Sequence, residues 1–193
     1  TFLPLDILMK KSTIQVDKAT SQPGLKLSIV FSFRNEDDVL EELISRVRNV
    51  LKLEKSRGVI ADHELIFIND HSTDRSEELL KELDRGHGDI KIINMSRNFG
   101  VSPCVMTGLK YSMGDAVVYM DSDLQDPPEV ISQMLETWQK GDNVDIVHTV
   151  RVFRAGETFL SRKVITLGYW ILRKTASIDL VAEAGDFKLL SRR

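Results

Sequence analysis

The sequence predicts an α/β fold in which helices flank a mostly parallel central sheet. Short β-rich segments alternate with segments of helical periodicity, which is the pattern of successive strand–helix–strand units. The fourth predicted strand, 116–120, is nearly all apolar, as expected of a strand buried on both faces of a sheet. Polar and acidic residues follow three of the strands directly. Ligands bind beyond the carboxyl ends of the strands in such sheets, so these residues are candidates for a binding site.

The strands are predicted from short apolar and β-branched segments. They are expected at 27–33, 64–68, 90–93, 116–120 and 144–147. Residues 1–24 show no clean period and end in a Ser-Gln-Pro-Gly turn signal, so we expect an N-terminal arm there, with a short helix around 5–9. Residues 25–193 are expected to form one domain after this arm.

The helices are predicted from capping residues and periodicity. Asn35 is expected to cap the first helix, whose apolar residues recur with a helical period over 39–51. Ser72 is expected to start the second helix, and 101–113 forms the third. Pro127 is expected to open the fourth, because proline suits the first turn of a helix.

Composition excludes several classes of protein. The chain has 193 residues, 42% of them apolar and 28% charged, with a formal net charge of −3, which argues against disorder and against a general nucleic-acid binder. The single cysteine, Cys104, excludes an intrachain disulfide and a cysteine-rich zinc site, and we expect it to be an apolar helix residue. No segment reads as a signal peptide or approaches the roughly 20 apolar residues of a membrane span.

Asp121 and Asp123 are the most informative pair. They follow the apolar fourth strand at a spacing that, in extended backbone, places both carboxylates on one side. Adjacent carboxylates repel each other unless a cation lies between them, and oxygen ligands of this kind suit Mg²⁺ or Mn²⁺. The alternative is a polar turn before the helix at Pro127, with Asp126 as its cap.

Asp70 and Arg97 follow the second and third strands. If Ser72 or Asp74 caps the next helix, Asp70 is free to accept hydrogen bonds from a nucleobase and a ribose; it is equally suited to be an ordinary cap. Arg97 is a candidate phosphate clamp, and Gly100 would let a ligand approach the backbone closely. The alternative for Arg97 is an arginine on a surface loop.

Together these stretches resemble glycosyltransferase family 2, the inverting nucleotide-sugar transferases with the GT-A fold. The similarity is greatest to the group containing dolichyl-phosphate mannose synthase and the undecaprenyl-phosphate sugar transferases. The resemblance covers the chain from about Leu27 onwards. It is carried by residues 34–36, 68–74, 96–100, 120–129, 151–157 and 185–193.

This sequence departs from the usual family pattern at two places. Ser32 and Arg34 stand where the family usually has proline and tyrosine, and Arg34 is expected to stack on the base through its guanidinium plane. Asn69-Asp70-His71-Ser72 stands where the family commonly has D-D-G-S, so Asp70 is the remaining base-binding carboxylate. The nucleotide-binding residues that the resemblance implies are Ser32, Arg34, Glu36, Asp70, Arg97, Asp121 and Ser122.

The resemblance implies transfer of a sugar from a UDP- or GDP-sugar to a lipid phosphate. Mg²⁺ or Mn²⁺ would be held by Asp121, Asp123 and Gln125 and would neutralise the leaving diphosphate. The catalytic residues are then Asp123, Asp186 as a base or orienting group, and Arg151 and Arg162 as a clamp on the acceptor phosphate. Arg154 and Lys163 are weaker candidates for that clamp.

The C-terminal part is expected to meet a membrane surface. From residue 151 onwards there are nine Lys and Arg against four Asp and Glu. Residues 160–174 alternate basic and apolar residues, which suits a helix at a membrane surface or one packed on the sheet. We expect a soluble piece truncated before C-terminal membrane helices, from a protein at the cytoplasmic face of a membrane. A homo-oligomer is compatible with the sequence.

Two alternatives to a lipid-phosphate transferase stay open. One is a family 2 transferase that acts on a saccharide hydroxyl in cell-surface polysaccharide synthesis. The other is a catalytically silent module that binds a nucleotide sugar, although the intact Asp121 and Asp123 argue against it.

Overall fold

The computed structural model describes residues 24–141, 144–150 and 184–192. Strands and helices alternate through most of this range, which confirms the predicted α/β class. The elements are β1 (Leu25–Phe33), α1 (Leu40–Ser56), β2 (Ile60–Asn69), α2 (Ser76–Asp84), β3 (Ile90–Asn94), α3 (Val101–Tyr111), β4 (Ala116–Asp121), α4 (Val130–Lys140), β5 (Ile146–Val150) and β6 (Ala184–Ser191).

The strands form one six-stranded sheet in the order β3-β2-β1-β4-β6-β5. The first four strands pair in parallel, so β1, β2 and β4 all end at the same edge, here called the rim. Strand β6 is antiparallel to both of its neighbours. Strand β6 was not predicted from the sequence. Its buried residues Phe187 and Leu189 alternate with less buried ones, which is the pattern of a strand with one buried face.

The two faces of the sheet carry separate hydrophobic cores. The larger core packs α1, α2 and α4 against one face, where Phe31 of β1 stacks on Phe67 of β2 with ring centroids 4.5 Å apart. On the other face, α3 packs against a smaller cluster that contains Val30 and Cys104. Gly108 permits this close packing, because a Cβ atom there would lie 2.1 Å from Cγ1 of Val30.

Three helices begin later than the sequence predicts. Helix α1 begins at Leu40, and Asn35 is not its cap: it has a φ of 59°, and its Oδ1 accepts the backbone N–H of Thr73. Helix α2 begins at Ser76 rather than Ser72. Helix α4 begins at Val130, after a turn that starts at Pro127.

Candidate active site

The predicted strand-end residues converge at the rim on a cavity of about 260 Å³, here called the rim cavity. Six of the seven predicted nucleotide-binding residues line it, together with Asp123. The lining residues are Ser32, Phe33, Arg34, Glu36, Asp70, Val101, Cys104, Asp121, Ser122 and Asp123. The parallel register produces this convergence, since Phe33 pairs with Asn69 and Ser32 pairs with Asp121.

Asp121 is held in place by two hydroxyl groups. Its Oδ1 accepts a hydrogen bond from Tyr119 Oη at 2.6 Å and a longer one from Ser32 Oγ at 3.4 Å. Tyr119 lies two residues earlier on β4 and therefore on the same face of the strand. Tyr119 was not predicted as a site residue, although its position two residues before Asp121 indicated that the two side chains share a face.

Asp123 lies in the tight turn after β4. Its Oδ1 accepts the backbone N–H of Gln125 at 3.0 Å, and Leu124 between them has a φ of 59°. Gln125 lines a neighbouring cavity of about 470 Å³ between α4, β5 and β6 rather than the rim cavity. The role of Gln125 as a metal ligand therefore stays a prediction.

Negative charge is concentrated in and beside the rim cavity. The pKa of Glu36 is raised above its usual value, first by burial and then by repulsion from Asp123, Asp74 and Asp121. A bound cation would relieve this repulsion. Asp121 and Asp123 each have a second oxygen, Oδ2, that accepts no hydrogen bond within the described residues.

The carboxylates of Asp121 and Asp123 fit a metal site that is completed by phosphate and water better than one built from protein side chains alone. Within residues 24–141, 144–150 and 184–192, no three His, Cys, Asp or Glu side chains are grouped to enclose a metal. A cation held by all-protein ligands is therefore not favoured there. Mg²⁺ commonly binds through one or two carboxylates and takes its other ligands from phosphates and water, which suits the Asp121 and Asp123 pair.

Both carboxylate oxygens of Asp70 have hydrogen-bond partners. Oδ1 accepts the backbone N–H of Phe99 at 2.7 Å, and Oδ2 accepts that of Gly100 at 2.9 Å. We had expected Asp70 to have no hydrogen-bond partner within the protein if Ser72 or Asp74 caps the next helix. That expectation is wrong. Helix α2 is instead preceded by Asp74, which accepts the backbone N–H and the hydroxyl of Ser76. A role of Asp70 in binding the base stays a prediction.

Three of the predicted nucleotide-binding residues differ in whether their polar groups are accessible to a ligand: Ser122, Arg34 and Arg97. Ser122 is buried, and its Oγ donates to the carbonyl of Ser32 at 2.9 Å, so its hydroxyl ties β4 to β1. Arg34 is exposed at the rim cavity. Arg97 is exposed and is not among the lining residues; its guanidinium stacks over the ring of Phe99, 4.6 Å from the centroid.

Cys104 is a buried residue of α3, as the sequence predicts. Burial, followed by the nearby charge of Asp70, raises the pKa of its thiol to about 11. Thiolate is the nucleophilic form, so this cysteine is not activated for covalent chemistry.

Asp186 lies on the strand next to Asp121. The antiparallel register pairs Tyr119 with Lys188, and continuing it by two residues places Asp186 opposite Asp121. Asp186 is exposed, and its Oδ1 lies 4.0 Å from Lys188 Nζ. The structure therefore brings this predicted base or orienting group to the same edge as the aspartate pair.

Several predictions concern residues outside the described ranges. These are the clamp residues Arg151 and Arg162, the weaker candidates Arg154 and Lys163, the membrane-surface helix at 160–174, and the helix at 5–9 within the arm. Among the helices that are described, none is long and apolar enough to cross a bilayer.

The mostly parallel sheet with a cavity at the carboxyl ends of its strands is an arrangement of the GT-A type. The comparisons with known proteins agree with this class. The chain belongs to glycosyl transferase family 2, whose family model matches residues 28–192.

Curated relatives cover most of this chain. An uncharacterized glycosyltransferase, YkcC, from Bacillus subtilis is 38% identical over 169 residues, which are 88% of this chain and 50% of the relative. A prophage bactoprenol glucosyl transferase homolog from Escherichia coli is 34% identical over 168 residues, covering 87% of this chain and 53% of the relative. The chain thus spans about half the length of the curated relatives it matches.

Solved structures share the fold at low sequence identity. The mannosyltransferase PcManGT from Pyrobaculum calidifontis, in complex with GDP-Man and Mn2+, has a TM-score of 0.58 at 16% identity and covers 89% of this chain and 46% of that one. Glucosyl-3-phosphoglycerate synthase from Mycobacterium tuberculosis, in complex with Mn2+, UDP and phosphoglyceric acid, has a TM-score of 0.61 at 20% identity, covering 89% and 57%. These similarities confirm the GT-A fold.

Proposed function

We propose that this protein transfers a sugar from a nucleotide diphosphate sugar to a polyprenyl phosphate, with inversion at the sugar carbon. The observation that carries the proposal is the rim cavity, where Asp121 and Asp123 lie beside the predicted nucleotide-binding residues. The acceptor class is supported by the bactoprenol glucosyl transferases among the relatives.

Asp121 and Asp123 are the proposed ligands of a divalent cation, Mg²⁺ or Mn²⁺. When bound, this cation would supply positive charge to the diphosphate of the donor. The two carboxylates position the donor by holding that charge at the end of β4. Arg34, exposed at the same cavity, is the proposed partner of the base.

The reaction forms one bond and breaks one. An oxygen of the lipid phosphate attacks the sugar carbon from the face opposite the diphosphate, and the bond from that carbon to the diphosphate oxygen breaks. A phosphate monoester has its second pKa near 6, so it is mostly dianionic at neutral pH and needs no base to attack. Asp186, across from Asp121, is then an orienting group, and Arg151 and Arg162 are the proposed phosphate clamp.

A thermal-shift screen tests donor binding. UDP-sugars and GDP-sugars are added with and without Mn²⁺. A ligand at 100 times its Kd stabilises the folded protein by about 2.7 kcal/mol, so a true donor raises Tm clearly. We expect a shift that needs both nucleotide and metal, and an Asp123→Ala variant that no longer responds to the metal. Equal shifts without metal would contradict the proposed site.

A transfer assay tests the acceptor. The chain is incubated with the donor found in the screen, Mn²⁺, and either a short polyprenyl phosphate or a free saccharide. We expect product only from the polyprenyl phosphate, with the anomeric configuration inverted relative to the donor, as read by NMR. Transfer to the saccharide hydroxyl alone would instead support the polysaccharide alternative, and donor binding without turnover on any acceptor would support a silent binding module.

A further inference from the structure

We propose that Tyr119 and Ser32 form a hydroxyl relay that orients Asp121 toward the cation, so that Tyr119 is a positioning residue for the donor site. The inference rests on the proposed metal-dependent transfer. It concerns Ser32, which lines the rim cavity, and Tyr119, which is bonded to the lining residue Asp121; neither is itself a proposed ligand.

The relay is defined by three short contacts. Tyr119 Oη lies 2.6 Å from Asp121 Oδ1, and Ser32 Oγ lies 3.0 Å from Tyr119 Oη. Ser122 Oγ in turn donates to the carbonyl of Ser32 at 2.9 Å. Two hydroxyls on neighbouring parallel strands are thus linked to the carboxylate at the end of β4.

Donor counting fixes the direction of the relay. A phenol has one proton, and the contact of Tyr119 with Asp121 is short enough to be a charge-assisted bond in which the tyrosine donates. Tyr119 Oη can then only accept from Ser32, and the one proton of the Ser32 hydroxyl is directed mainly at Tyr119 Oη, 3.0 Å away, rather than at Asp121 Oδ1, 3.4 Å away. A tyrosine hydroxyl ordinarily loses its proton only near pH 10, so it is a donor at physiological pH.

The relay uses only one of the two carboxylate oxygens of Asp121. Both hydroxyl contacts go to Oδ1, and Oδ2 accepts no hydrogen bond within the described part of the chain. Tyr119 is 2% exposed and packed among apolar residues, so its hydroxyl cannot move away without losing its partners. The carboxylate is therefore held in one orientation before any cation binds, which lowers the cost of binding.

The relay gives a function to Ser32, which is one of the residues that depart from the usual family pattern. A proline at this position, which the family usually has, could neither donate to Tyr119 nor accept from it. Serine at this position makes the contact with Tyr119, which lies two residues before Asp121. The two residues are therefore expected to act as a pair.

The experiment measures Mn²⁺ binding directly, apart from turnover. Free Mn²⁺ is followed by electron paramagnetic resonance during titration of the chain in the presence of UDP or GDP, whichever the thermal-shift screen selects. The variants are Tyr119→Phe, Ser32→Ala, the double variant and Asp121→Asn. Tyr111→Phe, on the exposed end of α3, is the matched control.

We expect Tyr119→Phe to weaken Mn²⁺ binding by about tenfold or more, as is typical when a group that orients a metal ligand is removed. Ser32→Ala acts chiefly through Tyr119, because Ser32 Oγ lies 3.0 Å from the tyrosine hydroxyl but 3.4 Å from Asp121, so it weakens binding less than Tyr119→Phe does. The double variant is then only slightly weaker than Tyr119→Phe alone. In the transfer assay, raising Mn²⁺ restores the rate of Tyr119→Phe. The control binds like the unaltered chain, and circular dichroism verifies that every variant is folded.

Three results would overturn the relay in different ways. If Asp121→Asn loses Mn²⁺ while Tyr119→Phe binds it as tightly as the unaltered chain, the tyrosine is only a packing residue, and the proposed function survives. If Asp121→Asn also binds Mn²⁺ normally, the metal site itself is wrong and the relay falls with it. A weakening in Tyr119→Phe that no concentration of Mn²⁺ rescues would likewise refute a positioning role.

Discussion

The carboxylate of Asp70, at the end of β2, accepts the backbone N–H of Gly100, the residue before α3, at 2.9 Å. Its other oxygen accepts the N–H of Phe99. The first turn of α3 contains no acidic residue, so Asp70 supplies from another strand the negative charge that favours a helix N-terminus. The N-terminus of α3, whose Val101 and Cys104 line the rim cavity, is therefore held by a long-range capping interaction.

Replacing Asp70 tests this capping interaction. Asp70→Ala removes two charge-assisted hydrogen bonds and leaves two backbone donors without their partner. We expect the free energy of unfolding to fall by about 2–3 kcal/mol, measured by urea denaturation. Asp38→Ala, which changes an exposed aspartate beside α1, is the control and should change stability by less than about 0.5 kcal/mol. Equal effects in the two variants would contradict the cap.

Much of the fold could be predicted because its signals are local. The apolar sequence of β4 and the helical period of α1 each identify an element without reference to the rest of the chain. The rim could be predicted too, since parallel strands must end at one edge and Asp70, Asp121 and Asp123 follow such strands.

The late starts of α1 and α2 have one physical source, which is contact between loops distant in sequence. Hydrogen bonds join the loops after β1 and β2: the N–H of Asn35 donates to Ser72 Oγ, and the N–H of Thr73 donates to Asn35 Oδ1. The N–H of Asp37 also donates to Asp74 Oδ2. Residues that look like helix caps in the sequence are used there to join loops, so α1 and α2 start later. A capping role for Asp70 was one of two alternatives, but the sequence does not show that its partner is Gly100, 30 residues away, at the start of α3. Tyr119 is a different case, because its spacing from Asp121 was visible in the sequence.

The contact between Gly108 and Val30 predicts a strong effect of adding one methyl group. Gly108→Ala would place a Cβ atom 2.1 Å from Cγ1 of Val30, which forces α3 away from the sheet. Overpacking of this kind costs about 1–3 kcal/mol, and the better helix propensity of alanine offsets about 1 kcal/mol of it.

A double-mutant cycle separates the clash from other effects. Val30→Ala creates the space that the new methyl group needs, so the double variant should be more stable than the sum of the two single changes predicts. Urea unfolding of the four proteins measures the coupling. Additivity within about 0.5 kcal/mol would show that the two positions do not compete for the same space.

The buried environment of His63 leads us to predict how the free energy of unfolding depends on pH. It lies at the far end of β2 from the rim, where its Nε2 is 3.3 Å from Asp89 and its buried Nδ1 has no hydrogen-bond partner. Burial lowers the pKa of His63 below its usual 6.5, so the fold favours the neutral ring. Its contribution to stability is therefore full above about pH 6.5, the unfolded value, and is lost as the pH falls through the lower folded value.

The measurement is urea unfolding between pH 5 and pH 8. We expect stability to increase with pH from 5 to about 6.5 and then to level off, and His63→Gln to flatten the increase because the amide does not titrate. His87→Gln changes an exposed histidine and serves as the control, with the slope of the unaltered chain. A slope that His63→Gln leaves unchanged would assign the pH dependence to another group.

His71 occupies a backbone conformation that favours glycine. Its φ is 63°, in the left-handed region, and it is exposed in the loop after β2. This conformation costs a residue with a Cβ atom about 1–2 kcal/mol, whereas glycine loses about 0.5–1 kcal/mol through the greater freedom of the unfolded chain. His71→Gly should therefore raise the free energy of unfolding by about 0.5–1 kcal/mol. His71→Ala keeps the Cβ atom and should give no comparable gain, so stabilisation by alanine as large as that by glycine would show that loss of the imidazole, and not relief of backbone strain, is responsible.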